Sequence, residues 1–263
     1  MNTCTTLDAS AFDSEEDTVP QLTGANIRVA IREIREYSYR ALVAAGASPG
    51  EAATGASQVL HAELHAGVGL TGLVADLARG AWPREGLSCA RRAGARTILQ
   101  VDCAGRSGGL RVGPYVIDLA AGETEPAVVT TSAEVAVDSM LNDPLLAAAR
   151  MTGTSVTAIQ LLPHEPSLVT MATPEGNLAH GELDPAAIVS LLDTDDLVGL
   201  EGFVVATGVR TTETSLARLT WDTPGQRAER RLAAARHGVD VDRATWRVVA
   251  SHAQHFLVPE ADS

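Results

Sequence analysis

With 263 residues, 45% of them hydrophobic and 20% charged, the chain is long enough to bury a substantial core. No run approaches the roughly 18–20 apolar residues of a membrane span, and no basic-then-apolar leader opens it, so a cytoplasmic protein with no membrane partner is expected. A formal net charge of −13 opposes binding to a phosphate backbone and argues against nucleic acid as a partner. All twenty basic residues are arginine, which disfavours Schiff-base lysine chemistry and Walker-type nucleotide loops.

Residues 1–24 are polar, acidic and aperiodic, and read as a disordered leader. From Asn26 the spacing of Ile27, Ile31, Ile34, Ser38, Ala41, Leu42 and Ala45 predicts a helix that stops at Gly46. Ser48-Pro49-Gly50-Glu51 is a capping box opening a second helix, whose buried stripe runs through Ala52, Ala56, Val59, Leu60 and Leu64. A third short helix is predicted over Leu70 to Leu77, and Trp82-Pro83 closes this helical region.

Beyond about Leu87 short β-branched runs alternate with turn residues. Strands are predicted at Thr97 to Asp102, Tyr115 to Leu119, Ala127 to Thr131, Ser155 to Leu161, Ser167 to Ala172 and Gly202 to Gly208. Helices are predicted at Leu145 to Met151, Ala186 to Leu192 and Pro224 to His237. A last helix, capped by Asp242, carries Trp246, Val249, Ala250, Ala253 and Phe256 on one face. The fold class expected is α/β (mixed α+β). A helical region over 25–83 leads into a mixed β-sheet region with flanking helices over 84–263, packed with it as one domain, and the pattern is not Rossmann.

The residues that point to chemistry are few. His61 and His65 stand four apart on one helical face, where proton transfer or a shared metal are the options. Glu63 lies on another face and no third ligand has useful spacing, so no metal is expected. His164, between two prolines, is a further catalytic candidate. The stretch AGRSGGLRVG from Ala104 to Gly113 lacks the G-x-G-x-x-G order. It offers either a hairpin-type turn or an anion-holding loop of Gly108 and Gly109 with Arg106 or Arg111. Asp143 and Asp184 read as helix caps, and His252 with His255 as edges of the core. Asp193, Asp195 and Asp196 lack the spacing of a calcium loop. Cys4, Cys89 and Cys103 form no CxxC pair and read as free thiols.

Two stretches resemble something specific. EIREYSYRALVAAGASPGEAATGASQVLHAELHAGVGL resembles the N-terminal helices of the malate/L-lactate dehydrogenase-like superfamily. VDVDRATWRVVASHAQHFLVPEADS is similar to the end of a shortened, uncharacterised bacterial branch of it, through Trp246, Ala250, Val258, Pro259 and Ser263, with Val249 in place of a leucine. The resemblance implies a non-Rossmann dehydrogenase-like scaffold, a homodimer and a small-molecule substrate. It also implies NAD(P)H-dependent reduction of a 2-oxo or 2-imino acid, for which His61 or His65 would have to substitute as proton donor. One position departs from it: Gly69-Leu70-Thr71 falls where those enzymes have Ser-His-Gly, so their catalytic histidine is Leu70 here. That departure keeps two alternatives open: a cofactor-independent isomerase, cyclase or lyase, and a non-catalytic scaffold or partner subunit.

Overall fold

The computed structural model describes residues 25–80, 82, 88–92, 97–103, 108–133, 135–162, 165–192, 202–209 and 217–257. The expected leader, His164, Arg106, Cys4 and the Asp193 cluster lie outside them.

The first element is a strand, β1 (Asn26–Val29), and not the start of a helix. Its antiparallel partner is β10 (Val239–Asp242), with Asn26 opposite Asp242 and Val29 opposite Val239. The apolar pair Ile27 and Val29 fits period 2 as well as period 3.6, and a partner more than 200 residues away decides between them. Helix α1 (Ile31–Ala44) follows, then α2 (Pro49–Ala66), where Ser48 and Glu51 form the expected capping box. Trp82 fastens this corner by donating its indole N–H to Glu51 at 3.1 Å and its backbone N–H to Ala45. Helix α3 (Gly69–Ala78) completes the expected trio.

A mixed eight-stranded sheet carries the rest: β2 (Ser88–Arg92), β3 (Thr97–Asp102), β4 (Ala127–Thr131), β5 (Val156–Leu161), β6 (Ser167–Ala172), β7 (Leu178–Leu183), β8 (Gly202–Thr207) and β9 (Thr220–Asp222), in the order β2-β3-β4-β8-β5-β6-β7-β9. Of its neighbouring pairs only β3 and β4 are parallel. Parallel neighbours need a crossover, and it is supplied by α4 (Gly113–Ala121).

This corrects the reading of Tyr115 to Leu119 as a strand. Pro114 in the first turn and the burial of Val116, Ile117, Ala120 and Ala121 at helical spacing outweigh the short β-branched run. The glycine-rich stretch therefore leads from a strand into a helix, and is not a hairpin turn. Among the expected caps, Asp184 accepts from Ala187 N and Asp242 from Thr245 N. Asp143 does not cap; it lies inside the first turn of α5 (Asn142–Thr152). His252 and His255 are exposed, not core edges.

Three apolar clusters hold the layers together. One sheet face, with Leu99, Val129, Ala158 and Val205, packs on α4 and α5. The other, with Val128, Ile159, Val169 and Val204, packs on α6 (Pro185–Leu192). A third joins α1, α2 and α3 to α8 (Arg243–Gln254) and the β1–β10 ribbon. Helix α7 (Pro224–His237) is charged and mostly exposed, capped by Thr223 and Gln226. Among the described residues no helix is long and apolar enough to cross a membrane.

Candidate functional site

The last two turns of α2 put His61 and His65 side by side, with ring centroids 4.4 Å apart in an edge-to-face arrangement. The i, i+4 spacing of a helix brings them together. What surrounds them comes from the far end of the chain. Arg230, on α7, donates its Nε–H to His65 Nδ1 at 3.2 Å and its Nη2 to both carboxylate oxygens of Asp222 at 2.6 and 2.7 Å. Asp222 ends β9, opposite Leu178 in the antiparallel register with β7. His180 is two residues along β7 from Leu178, so it shares the Asp222 face.

His180 in turn meets Thr170, its register partner on β6, with Nδ1 3.0 Å from the hydroxyl oxygen. Arg227 is nearly buried and is engaged in the framework of the site. It donates to the carbonyls of Asp222 and Gly176 and lies 3.4 Å from the Asp222 carboxylate. Three imidazoles, one carboxylate and two guanidinium groups thus meet where α2, β7, β9 and α7 converge.

The electrostatics of the cluster follow from this packing. Burial, with His65, Arg227 and Arg230 adding positive charge, pushes His61 down to about 3. Burial and Arg230 push His65 down to about 4. His180 is lowered by burial. Asp222 lies below the usual carboxylate range because its hydrogen bond to Arg230 and the two guanidinium charges outweigh partial burial. At neutral pH the site therefore presents neutral imidazoles beside a fixed ion pair. Such groups orient and polarise a bound molecule by hydrogen bonding. Any proton that His61 or His65 donates there comes from a neutral ring N–H.

The glycine-rich loop is arranged differently from an anion cradle. The backbone of Gly108 presses on Asp76, so closely that an added Cβ would lie 1.9 Å from its Oδ1. The Leu110 amide donates to the same carboxylate at 2.9 Å. Arg111 donates to the carbonyls of Asp76 and Gly80 at 2.8 and 2.7 Å and stacks over Trp82 at 5.0 Å. Gly109 packs beside Met140 and Leu141. Among the described residues of the loop, a carboxylate of the protein itself takes the Leu110 amide and packs against Gly108, so Gly108, Gly109 and Arg111 do not form a cradle for the phosphates of a nicotinamide cofactor.

Leu70 is 2% exposed and belongs to the core shared by α2 and α3. Its amide is held by Glu63, whose carboxylate accepts it at 2.9 Å. Glu63 is thus the anchor of the α2–α3 corner, turned away from the imidazoles as its spacing predicts. The sequence reading found His61 and His65 but missed His180, Asp222 and Arg230. The only local signal for Arg230 is the Arg227/Arg230 spacing just after the Thr223 cap.

Seen whole, the chain shares its fold with solved dehydrogenase structures. It is similar to malate dehydrogenase from Entamoeba histolytica, with a TM-score of 0.58 and 10% identity over 90% of this chain and 100% of that one. It is also similar to a dehydrogenase from Sinorhizobium meliloti, with a TM-score of 0.56 and 17% identity over 87% and 99% of the two chains. Delta1-piperideine-2-carboxylate reductase from Pseudomonas syringae pvar. tomato is similar at a TM-score of 0.51 and 14% identity, covering 86% of this chain and 99% of that one. No family model and no curated protein matches the sequence.

Proposed function

We propose that the protein is a small-molecule enzyme of the oxidoreductase type that reduces a 2-oxo or 2-imino acid with NAD(P)H. Its working groups are His61 and His65, with Arg230 and Asp222 behind them. The observation that carries this reading is the half-buried imidazole pair tied to the Arg230–Asp222 ion pair on a dehydrogenase-like scaffold. The buried Leu70 leaves acid–base work to groups elsewhere in the fold. NAD(P)H would supply the hydride; the chain's own part is to hold the substrate against His65 and keep the site partly dry. No residue of the Gly108–Arg111 loop is assigned to the cofactor. The assembly that goes with this reading is a homodimer.

Titration of the purified protein with NADPH and with NADH in a calorimeter tests the cofactor. Heat of binding at micromolar to millimolar cofactor supports the reading, and no heat with either cofactor overturns it. The Asp76-filled loop and the core position of Leu70 favour a second reading, a cofactor-independent isomerase, cyclase or lyase that uses the same imidazoles. Turnover without added nicotinamide would select it.

A further inference from the structure

Arginine is protonated at any pH the protein meets, so its Nε is only ever a donor. The 3.2 Å contact from Arg230 Nε to His65 Nδ1 therefore makes Nδ1 an acceptor. A neutral imidazole has one proton, and with Nδ1 occupied as acceptor that proton sits on Nε2. Arg230 cannot swing away freely, because its Nη2 is held by both Asp222 oxygens at 2.6 and 2.7 Å. Asp222 is fixed in turn by the pairing of β9 with β7 and by Arg227, which grips its carbonyl at 2.7 Å.

We propose that Arg230, held by Asp222, is a positioning residue that fixes His65 as its Nε2–H tautomer and so commits the site to a ligand presenting a hydrogen-bond acceptor. Of the two substrate classes in the reading above, on which this ligand choice rests, it selects the keto oxygen of a 2-oxo acid. A protonated 2-imino acid would bring an N–H donor toward an N–H donor, with Arg227, Arg230 and Arg231 adding like charge around the ring. The tautomer itself does not depend on the enzyme being an oxidoreductase.

Long-range ¹H–¹⁵N correlation spectra of the labelled full chain at neutral pH read the tautomer directly, with His65→Asn assigning the signals. The expected result is one set of His65 resonances with Nε2 protonated and Nδ1 bare. In Arg230→Met the ring becomes a tautomer mixture and its titration midpoint rises; Asp222→Asn loosens Arg230 and mixes the tautomers by less, while loss of its negative charge lowers the midpoint. An Nδ1–H ring or a tautomer mixture in the wild-type protein overturns the lock, whatever the Arg230 and Asp222 variants do. Pyruvate is then expected to shift His65 Nε2, and Δ1-pyrroline-2-carboxylate to leave it in place. No response to pyruvate, or the reverse order, overturns the ligand class. A response to pyruvate in a protein that binds neither NADPH nor NADH would leave this inference standing and sink the oxidoreductase reading alone.

Discussion

The Glu63 carboxylate accepts the backbone N–H of Leu70 at 2.9 Å across the corner between α2 and α3. Helix α3 has no side-chain cap at Val68, and Glu63 acts in its place from the preceding helix. The contact explains why a glutamate two residues from His61 plays no part in the imidazole cluster. It also makes Leu70, where the sequence resemblance places the dehydrogenases' histidine, a structural joint in this chain.

Glu63→Ala leaves the buried Leu70 amide without its acceptor, and is expected to lower stability by about 1–3 kcal/mol. Urea unfolding at neutral pH measures this, and the His61 and His65 ring signals should stay in place. A loss of those signals with unchanged stability would give Glu63 a role in the site.

Gly69 is where α3 touches the backbone of α2: a Cβ there would lie 2.0 Å from the Val59 carbonyl oxygen. Gly69→Ala therefore forces two helices apart and is expected to cost about 2–4 kcal/mol. Gly50, in the first turn of α2, has nothing within 4 Å of such a Cβ. Gly50→Ala serves as the control and is expected to shift the melting temperature little, or slightly upward.

Arg111→Met removes the donors that close the Asp76–Gly80 turn and uncovers Trp82. The expected outcome is a lower melting temperature with cofactor and substrate affinity changed by less than about threefold. A large loss of anion affinity at unchanged stability would return Arg111 to the binding site.

The imidazoles also set a pH dependence. His61 and His65 fall from 6.5 to about 3 and about 4 on folding. Below 6.5 the unfolded chain takes up protons that the folded one refuses, so their contribution is present above that pH and is lost as pH falls toward 4. Glu63 and Asp76, raised by burial, work in the opposite sense: their contribution is present at low pH and lost as pH rises through their folded values. Comparing His61→Gln/His65→Gln with wild type isolates the histidines. The double variant should lose less stability between neutral pH and about pH 4, by on the order of 1 kcal/mol once partial exposure is allowed for. Equal losses in the two proteins would contradict the neutral-imidazole assignment.

What the sequence made legible was local. Ser48 with Glu51, Asp184, Asp242 and the Pro224–His237 segment declare their helices through caps and spacing that involve neighbours only, and the structure follows them. What it hid was settled by distant partners. Asn26–Val29 is a strand because Val239–Asp242 lies beside it. The Tyr115 segment is a helix because β3 and β4 run parallel and need a crossover. The site divides the same way. His61 and His65 share a helix face and could be paired from spacing, but Arg230 is 165 residues from His65 and nothing near either residue announces the contact.

The central claim is that His65 carries the acid–base work. NADPH consumption over a panel of 2-oxo acids and cyclic 2-imino acids, compared among wild type, His65→Asn and Leu70→Val, tests it most directly. The account predicts turnover with a 2-oxo acid that falls by about 10²–10⁴-fold in His65→Asn and stays within about threefold of wild type in Leu70→Val, a mild core truncation. Full turnover in His65→Asn would contradict it.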